Sequence, residues 1–195
     1  MALGAKALSD QAEHHAEEAG LLERARAGDL AAFDAIVVRN MRRAFAVALR
    51  LMRQREDAED LVQDAFLIAL QKLDRFQSGR PFLPWFYRIL VNRGLNLRRA
   101  RARRTTDPLP EDMPAVGDSP ARLLERAEMG QGIRGALDAL PDTERTIVEL
   151  FELQGFDSGE IAEILDMPRG TVRWHLHQAR RALRLKLAAL HGRDV

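Results

Sequence analysis

The sequence predicts an all-α chain of two small helical domains, joined by an extended acidic linker, with a helix-turn-helix in the second. Three observations carry this. Apolar residues recur at three- and four-residue spacing over long stretches, while β-branched runs are almost absent. Ala, Leu, Arg and Glu dominate, all strong helix formers. Four prolines crowd residues 105–120, where no helix could pack, and helical spacing resumes beyond them.

Taken in order, residues 1–19 are polar, Ala- and Glu-rich and without a sustained period, and read as a flexible tail. The first domain is assigned to residues 20–104. Helical spacing starts at Leu21 and breaks at Gly28-Asp29, with Asp29 as the N-cap of a long helix. Phe33, Ile36, Val37, Ala44, Phe45, Ala48, Leu49 and Met52 form the apolar face of that helix. A second helix, from about Asp57 to Leu73, carries Leu61, Val62, Ala65, Phe66, Ala69, Leu70 and Leu73 on one side. Its other side presents Asp60, Gln63, Asp64, Leu67 and Gln71. This acidic face with one exposed apolar residue suits docking on a basic helical partner; acids at a helix start are also favoured by the macrodipole alone. A loop, Phe76 to Pro81, follows. The third helix begins near Phe82, turns Leu83, Phe86, Leu90 and Leu97 inward, and lines Arg88, Asn92, Asn96, Arg99 and Arg103 along another face.

The linker is assigned to residues 105–122 and the second domain to 123–195. Ile133, Leu137 and Leu140 open it, and Pro141 interrupts. Thr146 to Leu153 is an apolar helix ended by Gly155. Asp157 and Glu160 have capping-box spacing ahead of Ile161, Ile164 and Leu165. Asp166-Met167-Pro168 makes a short turn, with Pro168 in the first position of a last helix running to about Leu190.

Bulk charge says little, since the net charge is only +1. Its distribution says more. Residues 169–193 carry six arginines and a lysine with no acid, whereas residues 135–166 carry nine acids against Arg145 alone. A basic second helix after a short turn is the geometry that lies in the DNA major groove. Arg169, Thr171, Arg173, Trp174 and His175 near its start are the base-reading candidates. Val172 and Leu176 should face the core, and Trp174 could serve either side. Phe82, Trp85, Phe86 and Tyr87 ahead of the arginines at 98–104 suit single-stranded nucleic acid, although Phe82, Phe86 and Trp85 are also at core spacing.

Other classes find no support. There is no cysteine, so disulfide frameworks and thiolate metal sites are excluded. His14 and His15 lack converging ligands, and no metal or other cofactor is expected. No phosphate loop, zinc-protease or nucleophile-elbow motif occurs, so no catalytic residue is named and the chain is not read as an enzyme. No apolar run reaches membrane-spanning length and no secretion signal is visible, which points to the cytoplasm.

In order, these segments resemble one family. Asp57 to Phe66, Arg80 to Ile89 with Asn92 and Arg98-Arg99, and Leu140 through Gly170-Thr171-Val172-Arg173 to Arg180 are similar to three blocks of extracytoplasmic-function (ECF) sigma factors. The resemblance spans about Leu21 to Leu187 and implies a subunit of RNA polymerase that selects promoters. It implies contacts with the β′ and β subunits of the core enzyme, with Asp60, Gln63, Asp64 and Leu67 docking on the β′ coiled coil. Gln77, Ser78, Gly79 and Arg80 would hold a flipped-out base of the −10 element, with Arg88, Asn92, Asn96 and Arg99 along the DNA. Arg169, Thr171, Arg173, Trp174, His175 and Arg180 would read the −35 duplex. The acidic linker would run through the channel that later carries RNA, and an anti-sigma factor would hold the protein inactive. Trp174-His175 and His177-Gln178 depart from the usual pattern, as do Asn96, at an often acidic position, and Pro84. Promoter specificity is therefore not carried over. The alternative from the C-terminal helices alone is a stand-alone helix-turn-helix regulator.

Overall fold

The structure, a computed structural model, describes residues 17–102, 132–133 and 135–191. The chain forms two compact units, one built on its N-terminal helices and one on its C-terminal helices. The expected linker, residues 105–122, and most of the expected tail lie outside the described residues. Residues 17–19, expected in the tail, are already helical.

Helix α1 covers residues 17–26. Gly28, at φ 95°, turns the chain. Asp29 then caps α2, Leu30–Met52, its carboxylate accepting from the Ala32 amide at 3.2 Å. The same carboxylate accepts from Arg24 at 2.7 Å. The Arg24 bond first, and the Ala32 amide second, hold the Asp29 carboxyl below its ordinary value. The buried face of α2 includes Phe33, Ile36, Ala44, Ala48 and Met52, as the spacing predicts, and also Val47 and Leu51. Asn40 is buried among them because its side-chain amide donates to the Ile36 carbonyl at 2.9 Å.

Helix α3, Arg55–Gln71, buries Ala58, Leu61, Val62, Ala65, Phe66 and Ala69. A single 3-10 turn, Leu73–Arg75, leads to the loop before α4, Phe82–Ala102. Helices α2, α3 and α4 pack on one another. Gly94 lets α4 approach closely: a Cβ there would sit 3.0 Å from Leu61 Cδ2 and 3.2 Å from Leu51 Cδ1.

Three of the four aromatics of α4 are core, which corrects the single-strand stacking expectation for Phe82, Phe86 and Tyr87. Phe82, Phe86 and Tyr87 are essentially inaccessible. Phe86 stacks on Phe66 with centroids 4.3 Å apart and on Phe82 at 5.8 Å. Burial raises the Tyr87 phenol to about 12. Trp85 is half-buried against Phe76 and Phe82. Leu83 and Leu97, expected inside, are only half-buried, while Val91 is fully buried.

In the C-terminal unit a short helix, α5 (residues 135–138), precedes Pro141. Leu140 is buried there, but Ile133 is exposed, so the expected apolar start is shorter. Helix α6, Asp142–Val148, runs into a π-helical turn, Glu149–Leu153, where spacing alone predicts one regular helix. Arg145 is buried, its guanidinium donating to Asp138 at 3.3 Å and Asp142 at 3.1 Å. Gly155, at φ 75°, ends the segment.

The capping box forms as its spacing predicts. Asp157 accepts from the Gly159 and Glu160 amides, and Glu160 accepts from the Asp157 amide at 2.8 Å. Those backbone amides hold the Asp157 carboxyl below its ordinary value. Helix α7, Ser158–Leu165, buries Ile161 and Ile164. Asp166 turns the chain in the left-handed region at φ 54°. Helix α8, Arg169–His191, follows and packs on α6. Pro168 stands just before its first residue rather than in it, its carbonyl accepting from the Thr171 and Val172 amides.

Candidate nucleic-acid interface

Four sets of residues come together on the two units. On α3, Asp60, Gln63 and Leu67 are exposed and Asp64 is half-buried. Leu67 is a large apolar side chain left 57% accessible in an acidic setting. Asp64 is engaged by Arg93 of α4 at 2.9 Å. One turn before Asp60, Asp57 takes two hydrogen bonds from Arg101 at the far end of α4. That contact holds the Asp57 carboxyl below its ordinary value. Asp57 therefore ties α3 to α4, beyond its place in an acidic first turn.

On α4, Arg88, Asn92, Asn96 and Arg99 are all exposed. Their spacing of four, four and three puts them in one stripe. The opposite face of the same helix is the aromatic core, so its packing fixes where the stripe points.

The loop residues Gln77, Ser78, Gly79 and Arg80 are exposed, with Gly79 at φ 85°. Ser78, Gly79 and Arg80, though not Gln77, line one side of a hollow of about 390 Å³, and α1 forms the other through Glu18, Leu22 and Arg26. Arg26 bridges the two sides. Its Nε donates to the Leu73 carbonyl at 3.0 Å and its Nη1 to Ser78 Oγ at 2.7 Å. Its Nη2 donates to the carbonyls of Asp74, at 3.4 Å, and Phe76. Neither Arg26 nor the hollow is evident from spacing, since one arginine at the end of a short helix gives no signal of its target.

On α8 the candidates divide. Val172, Leu176 and Ala179 are buried. Arg169, Arg173, His177, Arg180 and Arg184 are exposed along one line at steps of four, four, three and four. His177 and Arg184 were missing from the sequence-derived set, although the same spacing would have found them. Trp174 is 56% exposed, which places it on the surface. Thr171 is half-buried. His175 turns toward α6, its Nδ1 lying 3.6 Å from a Glu144 carboxylate oxygen. Arg180 donates to Glu152 at 2.7 Å and lies over the Phe151 ring at 5.1 Å. Arg169 Nε donates to Ser158 Oγ at 3.0 Å, joining α8 to the start of α7. Two helices with a three-residue turn, the second rich in exposed arginine, are suited to phosphates and base edges in a major groove. Among the described residues no cluster of three or more potential metal ligands occurs.

Residues 36–104 match the family description Sigma-70 region 2, and residues 131–183 match Sigma-70, region 4. The ECF RNA polymerase sigma factor SigE of Mycolicibacterium smegmatis is 34% identical over 92% of this chain and 72% of its own length. The ECF RNA polymerase sigma-E factor of Escherichia coli is 33% identical over 87% of this chain and 94% of its own. The solved structure of CnrH in complex with the cytosolic domain of CnrY is similar with a TM-score of 0.68 and 26% identity, over 89% of this chain and 98% of that one. A stand-alone helix-turn-helix regulator would account for the region 4 match and leave region 2 without a role. With both regions matched in order, the chain belongs to the ECF sigma factors, which direct RNA polymerase to promoters to initiate transcription.

Proposed function

We propose the following division of labour among the surfaces of this sigma factor. The exposed row of α3, Asp60, Gln63, Asp64 and Leu67, docks the chain on the coiled coil of the polymerase β′ subunit. The hollow beside Gln77–Arg80 receives one extruded base of the −10 non-template strand, and the stripe Arg88, Asn92, Asn96 and Arg99 carries the strand away from it. Extrusion costs a few kcal/mol of lost stacking and pairing, offset by contacts in the hollow and along the stripe. Arg169, Thr171, Arg173, Trp174 and Arg180 of α8 read the −35 duplex, while His175, turned toward Glu144, seats α8 on α6. The chain acts by binding rather than by a reaction of its own, and it works in the cytoplasm, where its polymerase is. No helix among the described residues is long and apolar enough to cross a membrane. An anti-sigma factor would silence it by covering these surfaces.

The observation that carries this reading is the continuity of hollow and stripe: the loop that lines the hollow runs directly into α4, whose inner face is locked by the aromatic core. The docking face is tested with Asp60→Ala combined with Asp64→Ala. The Asp64–Arg93 pair is close to half-exposed on both sides, and surface pairs of that kind contribute about 0–1 kcal/mol. The double variant should keep the fold and lose affinity for core polymerase in a titration of the two proteins. Unchanged affinity would remove α3 as the docking face.

A further inference from the structure

Helix α1 lies before the segment matched by region 2, which begins at residue 36. Its contacts nevertheless converge on the −10 loop. Arg26 spends one guanidinium on four acceptors: the carbonyls of Leu73, Asp74 and Phe76, and Ser78 Oγ. All lie 47–52 residues away in sequence. The guanidinium is a rigid planar fork of donors, so several acceptors held at once fix the backbone that carries them. That backbone is a 3-10 turn anchored by the buried Leu73 and Phe76, followed by an exposed stretch, Gln77 to Pro81, with a glycine at positive φ, where no side chain is buried to hold the conformation and Arg26 reaches Ser78.

Helix α1 is itself held on α2. Leu22 and Ala25 are buried, Arg24 is bonded to Asp29, and Arg39 is bonded to Glu17 at 3.1 Å. The clamp thus runs from α2 through α1 to the loop.

We propose that Arg26 is a positioning residue for −10 recognition. It preorganises the Phe76–Arg80 wall, so that the hollow exists before a base enters it. This rests on the reading of the hollow as the base-binding site. Without the clamp the loop must be ordered at the moment of binding, and that cost falls on the extruded base alone. Contacts to polymerase, to the −35 duplex and to DNA phosphates do not depend on it.

The test uses holoenzyme reconstituted from core polymerase and the full chain, with fork-junction promoter DNA whose −10 non-template strand is single-stranded. Each −10 base is removed in turn to leave an abasic site, and affinities are compared. For the unsubstituted protein, one position should stand out, losing about 5- to 100-fold when its base is removed, the range of one well-seated base. Arg26→Ala should lower affinity for the intact fork and shrink the loss at that one position toward onefold, with affinity for core polymerase unchanged. Arg26→Lys keeps the charge and the aliphatic stem but reaches fewer acceptors, so it should fall between the two. Ser78→Ala, which removes one acceptor and leaves α1 intact, should shrink the same loss partially.

If the unsubstituted protein loses nothing at any abasic position, the base-binding reading of the hollow fails, and the inference with it. If it shows a base-dependent position that Arg26→Ala and Ser78→Ala retain in full, the hollow stands and the positioning role is overturned. Full recovery by Arg26→Lys would also overturn it, because charge alone would then suffice.

Discussion

Helices α4 and α8 both present polar and basic side chains along one exposed line, but they are held in place differently. In α4 the anchoring is mostly apolar: Phe82, Phe86, Tyr87, Leu90 and Val91 are buried and Phe86 stacks on Phe66, with Arg93 to Asp64 and Arg101 to Asp57 as polar ties outside the stripe. Asn92 and Asn96 lie on the exposed face, away from that core. In α8 the buried residues are smaller and more widely spaced, Val172, Leu176 and Ala179. Polar residues of the helix itself supply part of the anchoring: Arg169 to Ser158, His175 toward Glu144, and Arg180 to Glu152 and Phe151. Recognition candidates that stand apart from the core are therefore present in α4, at Asn92 and Asn96, whereas in α8 Arg169, His175 and Arg180 also take part in anchoring.

The largest effect that would sharpen this contrast is expected in the aromatic core. Phe86→Ala should cost about 3–5 kcal/mol of stability in the N-terminal unit, the range for a buried aromatic replaced by alanine. Urea unfolding followed by tryptophan fluorescence would measure it, since Trp85 lies near this cluster. A loss below about 1 kcal/mol would mean that stacking does not set the orientation of α4.

Next in size is Asn92→Ala with Asn96→Ala. Fork-junction affinity should fall about tenfold or more, in keeping with lost side-chain contacts to bases. The unfolding midpoint should stay put, because exposed substitutions usually change stability by less than about 0.5 kcal/mol. A shifted midpoint would break the claimed separation in α4.

The overlap in α8 predicts that two arginines on the same line behave differently. Arg180→Ala should weaken duplex binding and also destabilise the C-terminal unit, by no more than about 1 kcal/mol for an exposed pair and a cation–π contact. Arg173→Ala should weaken −35 binding and leave the melting temperature unchanged. Calorimetry paired with a salt-dependent binding titration would separate them; identical thermal behaviour would show that α8 is anchored by its apolar residues alone.

The smallest effect concerns acid stability. Arg101 holds the Asp57 carboxyl below its ordinary value of 3.8. A lowered carboxylate contributes its stability above that ordinary value and loses it as the pH falls through the lowered one. Asp57→Asn should therefore reduce stability at neutral pH and flatten the loss as the pH falls below the ordinary carboxylate value. An acid limb parallel to that of the unsubstituted protein would show that the Asp57–Arg101 contact does not couple α3 to α4.

Where apolar spacing was dense, the sequence was legible. Asp29 as a cap, the break before Phe82 and the Asp157–Glu160 box all follow from residue types at fixed offsets. What escaped depended on contacts distant in the chain. Tyr87 reads as a surface aromatic until the packing of α2, α3 and α4 encloses it. The Glu149–Leu153 turn has the same apolar spacing as a regular helix, and one extra residue per turn leaves no local mark. Arg26 finds its acceptors about fifty residues away, and no pattern in its neighbourhood announces them. On α8, by contrast, His177 and Arg184 fall on the line of Arg169, Arg173 and Arg180 at helical spacing, so periodicity alone marks them.

The central claim is that two separately built units read two separate stretches of one promoter while polymerase holds both. It is tested most directly by run-off transcription from core polymerase and the full chain, on a template library randomised across both promoter elements. The account predicts that active templates share two sequence blocks at a constrained spacing. The upstream block should relax with Arg173→Ala, and the downstream block with Asn92→Ala and Asn96→Ala. Active templates constrained at one block only, or initiation that does not depend on this chain, would contradict it.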